Sequence, residues 1–276
     1  MPAMLSYLIE LAHIAGRIAL QHFQQVRSDD YAIKGRSDFV SFVDKRIEDE
    51  LSARIRTHHP DHVIIGEETH CGLQPPTGPC WIIDPIDGTT NFIRGIAHFA
   101  VSIAFCDKHG DARYAAIYDP VRKEIFLGDR SSGTWLNEQK VNTSGHKQLN
   151  GALVACALPF RTMDSLADSM ALTQQLQGAI GDLRRMGSAA LDLAYTAVGR
   201  VDAYWELGIW PWDTAAGELM VRAAGGACSD FRGNSGDLLT RRSIIAGASA
   251  SLQQELLQQI QPHLAHWLDH PAYHIG

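Results

Sequence analysis

Apolar residues return at helical spacing at the start of the chain: Met4, Leu8, Leu11, Ala15 and Ile18 share one face, and Glu10, His13 and Arg17 lie off it. That spacing predicts an amphipathic helix with one buried side. A second helix is predicted where Val43, Ile47, Leu51 and Ile55 recur every four residues and form a single seam. The preceding stretch, residues 38–44 (DFVSFVD), reads as a strand or as the entry to that helix. Short apolar runs at residues 63–65 and 81–83, and a longer one at 99–105, read as buried strands. Residues 113–118, 124–127 and 134–136 are separated by Asp119-Pro120 and by Ser131-Ser132-Gly133, the pattern of an antiparallel meander.

The second half alternates between periods. A strand is predicted over 152–158, helices over 163–180 and 189–198, a strand over 201–206, and a helix over 213–224 closed by Gly225-Gly226. Strands at 227–231 and 244–247 precede a terminal helix from 252 to about 267. Helices alternating with strands of a mixed sheet predict an α/β fold built in layers. The chain turns polar over 141–148, which places a boundary there: an N-terminal α+β half, 1–145, and a C-terminal α/β half, 146–276.

Composition narrows the function. At 276 residues the chain can bury a large core, and its formal charge of -7 argues against a generally basic nucleic-acid-binding surface. The five cysteines, Cys71, Cys80, Cys106, Cys156 and Cys228, are widely spaced and contain no C-x-x-C pair, so they read as free thiols rather than as a Cys71–Cys80 bridge or a zinc site. The histidines at 58, 59, 62 and 70 have neither i,i+4 placement on a helix nor a partner carboxylate motif, which disfavours a metal role. The first helix is interrupted by charge and reads as amphipathic rather than as a signal peptide, and no uninterrupted apolar run is long enough to span a bilayer. A cytoplasmic protein is expected.

The chemistry concentrates at residues 81–92, WIIDPIDGTTNF. The apolar run ends in Asp84-Pro85, where the chain is expected to break, and again in Asp87-Gly88. Two carboxylates three residues apart around a proline can converge with a main-chain oxygen, that of Ile86, on a hard cation such as Mg²⁺, Mn²⁺ or Ca²⁺. Gly88, Thr89, Thr90 and Asn91 read as a helix N-terminus, whose free N–H groups favour a phosphate. Taken alone, the pattern is equally a strand end followed by an Asx turn. Glu67 and Glu68 follow the strand at 63–65 and can be solvated or turned inward, and Asp44 can be an ordinary first-turn acid of its helix. Residues 206–226, ELGIWPWDTAAGELMVRAAGG, also have a purely local reading, with Asp213 as N-cap and Trp210 and Trp212 as core aromatics. Gly187-Ser188-Ala189-Ala190 opens a helix with small residues, and Arg184 and Arg185 read as a solvated pair.

Together these pieces resemble the inositol monophosphatase family of metal-dependent, lithium-sensitive sugar phosphatases. The resemblance runs from Asp44 to Gly225-Gly226, with both long signatures and both shorter pieces in order; Phe39 and Ser41 stand where the family usually has leucine and threonine. It implies an αβαβα sandwich, often found as a homodimer. It implies Glu67, Asp84, Ile86, Asp87 and Asp213 as ligands of two or three Mg²⁺ ions, with Mn²⁺ as a substitute. Thr89, oriented by Asp44, would position the attacking water, with Glu67 at the same centre; Gly88 and Thr90 would hold the phosphate. Asp87, Gly187, Ser188, Ala189 and Glu206 would meet the rest of the substrate. The expected reaction is hydrolysis of myo-inositol 1-phosphate or a similar polyol phosphate, with histidinol phosphate, fructose 1,6-bisphosphate and nucleotide 3′-phosphates as rival substrates. Some bacterial members act as transcription or ribosome-assembly partners, a role that would be additional.

Overall fold

The computed structural model describes residues 2–25, 31–35, 38–69, 76–159, 163–236, 238–240 and 242–273. Cys71 and His70, and with them the Cys71–Cys80 pairing, lie outside these residues; the other four cysteines are buried free thiols.

Helix α1 (Ala3–His22) and strands β1 (Tyr31–Gly35) and β2 (Asp38–Ser41) lead into α2 (Phe42–His58). Strands β3 (Val63–Gly66) and β4 (Cys80–Asp87) follow, then the short helix α3 (Thr89–Ile93). The meander is β5 (Ala100–Cys106), β6 (Ala112–Asp119), β7 (Glu124–Asp129), β8 (Gly133–Leu136) and β9 (Gln139–Val141). With β3 and β4 it forms a seven-stranded sheet in sequence order, antiparallel except for the parallel β3–β4 pair. Next come β10 (Leu153–Cys156), α4 (Leu166–Gln177), β11 (Asp182–Arg184), α5 (Ala189–Ala197), β12 (Ala203–Leu207), α6 (Pro211–Ala223), β13 (Ala227–Ser229), β14 (Ser243–Gly247) and α7 (Ala250–Leu264). The second sheet is mixed, in the order β11-β10-β12-β14-β13.

Period-two alternation sorts these elements into five layers. On β4, Trp81 and Ile83 face α1 and α2, packing with Leu8, Leu11, Ala15, Ile47 and Leu51, while Cys80 and Ile82 face the opposite core with α5 and α6. On β12, Tyr204 faces α5 and α6, whereas Ala203 and Trp205 face α4 and α7. Helix pairs and sheets therefore alternate as αβαβα, the expected architecture, with α5 and α6 between the sheets. Helix α1 has the length and hydropathy to cross a membrane, yet its apolar stripe is spent on this core, with Leu5, Leu8, Leu11, Ala12, Ile14, Ala15 and Ala19 buried.

Three expectations about local structure change. The strand predicted at 81–83 does not end at Asp84-Pro85: β4 runs on to Asp87 and is buried along its length. Its register with β5 slips from Asp84↔Ser102 to Asp87↔Ala100, so three steps on β4 meet two on β5. This is a bulge, a place where a proline without an N–H is tolerated inside a sheet. The helix predicted from Asp213 starts at Pro211, with Trp210 as N-cap. The edge strands β9 and β11, three residues each, were not expected; short and partly exposed, they have no apolar alternation to reveal them.

Candidate active site

The bulge decides where the acids point. In a regular strand, residues three apart face opposite sides of the sheet. One inserted residue restores Asp84 and Asp87 to a common side, and α6 brings Asp213 to meet them: carboxylate oxygens of all three lie within 4.8 Å of one another. All three are buried. Asp213 is the third residue of α6 and its Oδ2 accepts the Trp210 N–H at 2.8 Å, so the same carboxyl that faces the other acids closes its own helix start. Trp210 is held in turn, stacked on Trp212 at 5.0 Å between centroids, with the Arg242 guanidinium 3.9 Å from its ring centre.

These acids occupy one wall of a cleft of about 590 Å³. Glu67, one residue past β3, lines it too, anchored by its N–H donating to Ile83 O at 3.2 Å, but it stands outside the trio. Ile86, Gly88, Thr89 and Thr90 continue the wall, and Gly187, Ser188, Ala189 and Glu206 complete it. Asp44, in the first turn of α2, is fully buried rather than a surface acid. Thr89 Oγ1 lies 3.5 Å from Asp44 Oδ1 and 3.0 Å from the Ile86 carbonyl. A hydroxyl has one proton, so the shorter contact to Ile86 holds it and Asp44 stands by.

Burial dominates the electrostatics. It pushes the Asp84 carboxyl well above the usual range, helped by the charges of Glu67, Asp87, Asp213 and Asp44. Burial also raises Asp87, to about 6, against hydrogen bonds that pull the other way. Those bonds come from the start of α5: Ser188 Oγ donates to Asp87 Oδ2 at 2.5 Å, and the Ala190 N–H donates to the same oxygen at 2.7 Å. Ser188 also caps α5 by accepting the Leu191 N–H, so its hydroxyl is a scaffold between helix and acid. Asn91, buried, ties α3 to the loop before β5 through His98 O at 2.8 Å and to the loop before α5 through Met186 O at 2.9 Å. On β12, Tyr204 and Glu206 share a face, and the tyrosine hydroxyl donates to Glu206 Oε2. Of the arginine pair, Arg184 is bound to Asp182 at 2.6 Å, while Arg185 lines the cleft.

The donor set fits a divalent cation. Asp84 Oδ1 is buried with no hydrogen-bond partner among the described residues, and mutually repelling oxygens surround it; a proton or a hard cation relieves that arrangement. Two buried acids near this site are not singled out by the sequence. Asp192, on α5, lines the cleft fully buried. Glu48, one turn beyond Asp44, is buried and accepts the Glu68 N–H at 2.9 Å, steadying the loop that carries Glu67. A polar residue interrupting an apolar helical face was the available signal in each case.

The sequence model of the inositol monophosphatase family matches residues 2–265. The chain is 41% identical over 270 residues to the Nus factor SuhB of Pseudomonas aeruginosa, covering 96% of this chain and 98% of that protein. The Nus factor SuhB of Escherichia coli K12 is 41% identical over 247 residues, covering 90% and 92%. Among solved structures, the extragenic suppressor protein suhB of Bartonella henselae matches with TM-score 0.87 and 32% identity over 94% of this chain and 99% of that one. The Thermotoga maritima IMPase matches with TM-score 0.85 and 26% identity, over 96% and 99%.

Proposed function

The chain belongs to the inositol monophosphatase family, and from that premise we propose that it is a Mg²⁺-dependent phosphomonoesterase acting on myo-inositol 1-phosphate or a closely similar polyol phosphate. The observation that carries this reading is the convergence of Asp84, Asp87 and Asp213 beside a cleft that Glu206 also lines. Glu67, Asp84, Asp87, Asp213 and the Ile86 carbonyl would hold two Mg²⁺ ions, or Mn²⁺ in their place, with Glu67 the ligand of a looser third. Such cations supply positive charge to the phosphoryl group and acidify water. Thr89, between the Ile86 carbonyl and Asp44, orients the attacking water. The amides at Gly88 and Thr90 hold phosphate oxygens, as unpaired N–H groups do. Glu206 accepts hydrogen bonds from sugar hydroxyls, which a carboxylate can take two at a time. Gly187 and Ala189 line the substrate's path, and Ser188 serves the same wall by holding Asp87. In this reading the chain works as two halves, 1–145 and 146–276, and as a cytoplasmic homodimer, states checked by limited proteolysis, fractionation and sedimentation.

A substrate panel tests it. With Mg²⁺, kcat/KM should be highest for myo-inositol 1-phosphate against histidinol phosphate, fructose 1,6-bisphosphate and 3′-phosphoadenosine 5′-phosphate. A different leader replaces the substrate, and no turnover with Mg²⁺ or Mn²⁺ removes the enzyme. A second reading, additional to the first, comes from the relatives named Nus factor SuhB: this chain also serves as a partner in a transcription complex. Asp213→Asn should lose phosphatase activity and still be retained with RNA polymerase components in a pull-down; loss of wild-type retention rejects the partner role.

A further inference from the structure

Asp192 is the fourth residue of α5, one turn past the Ser188 that grips Asp87. Its neighbours Leu191 and Leu193 are fully buried in the core between the sheets, and it is itself 1% exposed while lining the cleft with Asp87 and Glu206. Its Oδ1 has no hydrogen-bond partner among the described residues. Its backbone is already used by the helix, the N–H donating to Ser188 O at 2.9 Å and the carbonyl accepting the Thr196 hydroxyl at 2.9 Å, and neither bond involves the carboxyl. Its charged surroundings add to the cost: burial, then Asp87 and Glu206, push its carboxyl well above the usual range. A buried carboxyl without a partner opposes folding, and aspartate is a poor helix-interior residue. A leucine would satisfy the core better at this position. What the acid adds is a polar group aimed at the cleft, on the same wall as Glu206.

Resting on the phosphatase reading, we propose that Asp192 is a second substrate-contacting carboxyl that hydrogen-bonds a hydroxyl of the polyol beside the one met by Glu206, and so sets the preference for hydroxyl-rich phosphate esters. Glu206 sits on β12 with the Tyr204 hydroxyl on its Oε2, and Asp192 approaches from α5, so the two carboxyls reach the substrate from different elements. Adjacent hydroxyls of one ring suit such a pair. A hydroxyl both donates and accepts, so it can satisfy Asp192 whichever protonation state the carboxyl holds.

The test compares kcat/KM for the best hydroxyl-bearing ester of the panel with that for p-nitrophenyl phosphate, which has no hydroxyl to offer. Asp192→Leu and Asp192→Ala should lower this ratio by about tenfold or more, chiefly through KM, because a hydroxyl is left without its partner. Asp192→Asn, which still donates and accepts, should stay within about threefold. Without ligand, Asp192→Leu should melt above wild type, since an unpartnered buried carboxyl has been exchanged for an apolar side chain. A lowered melting temperature with an unchanged ratio, or equal losses for both esters, overturns the proposal, as does failure of both Leu and Ala variants to fold. Failure of the polyol phosphatase reading shows in the wild-type panel, whereas failure of the Asp192 assignment shows only between variants.

Discussion

Asp87 is a carboxyl under opposed forces: burial favours its neutral form, and the Ser188 hydroxyl and Ala190 amide favour the charged one. Burial wins, and the carboxyl titrates at about 6 instead of 3.8. Between these values the folded chain keeps a proton that the unfolded chain has released, so protonation favours folding. The contribution is whole below pH 3.8 and is lost as pH rises through about 6, on the order of 3 kcal/mol. In chelator, Asp87→Asn should therefore match wild type near pH 4 and melt above it at pH 7. Saturating Mg²⁺ should reverse the order at pH 7, because a cation then takes the proton's place. Asp213→Asn acts on the same cluster from α6 and should lower Mg²⁺-dependent kcat/KM by about 100-fold or more, measured at saturating Mg²⁺. Near-wild-type turnover would remove Asp213 from the ligands.

At the scale of elements, the site depends on two joints where a side chain does not fit. Gly88 links β4 to α3 with φ +93°, and a Cβ there would lie 3.1 Å from the carbonyls of Gly187 and His98. Gly88→Ala should cost about 1–3 kcal/mol of stability by denaturant unfolding and depress activity, since it separates α3 from the loop before α5. Gly66 ends β3 against the buried Glu48, whose carboxyl atoms would stand 2.3–2.5 Å from a Cβ. Gly66→Ala should displace that carboxyl and the Glu68 amide it binds, shifting Glu67. A loss of about 1–3 kcal/mol and a higher Mg²⁺ concentration for half-maximal activity are expected, read by melting and by a Mg²⁺ titration. An unchanged Mg²⁺ requirement would show that Glu48 supports only the fold.

For the whole molecule, the relevant fact is that the acids come from different layers. Asp84 and Asp87 belong to the seven-stranded sheet, Asp213 to a helix between the sheets, and the donors on Asp87 to the other inner helix. A cation held by them would join those layers and would be bound only by the folded chain. At 100 times its Kd, Mg²⁺ should add about 2.7 kcal/mol to stability and raise the melting temperature of one cooperative transition. Asp84→Asn should abolish most of that rise in calorimetry, while a rise preserved in full would place the cation elsewhere.

Sequence by itself determined what depends on neighbours along the chain. The four-residue seam of α2, the apolar run of β5 and the alternation of strands with helices in the second half are all local, and they were enough to predict layered α/β structure; the acids grouped with glycine and threonine read equally as an Asx turn until the family resemblance implied a cation site. Tertiary structure decided what depends on partners far away. Pro85 stays in β4 because β5 pairs across a bulge, and the same bulge turns two acids to one side. Asp213 became the third residue of its helix because Trp210, under Arg242, supplies the cap. Asp192 and Glu48 look like ordinary helix acids until packing buries them, because the cost of burying a charge comes from elements distant in sequence.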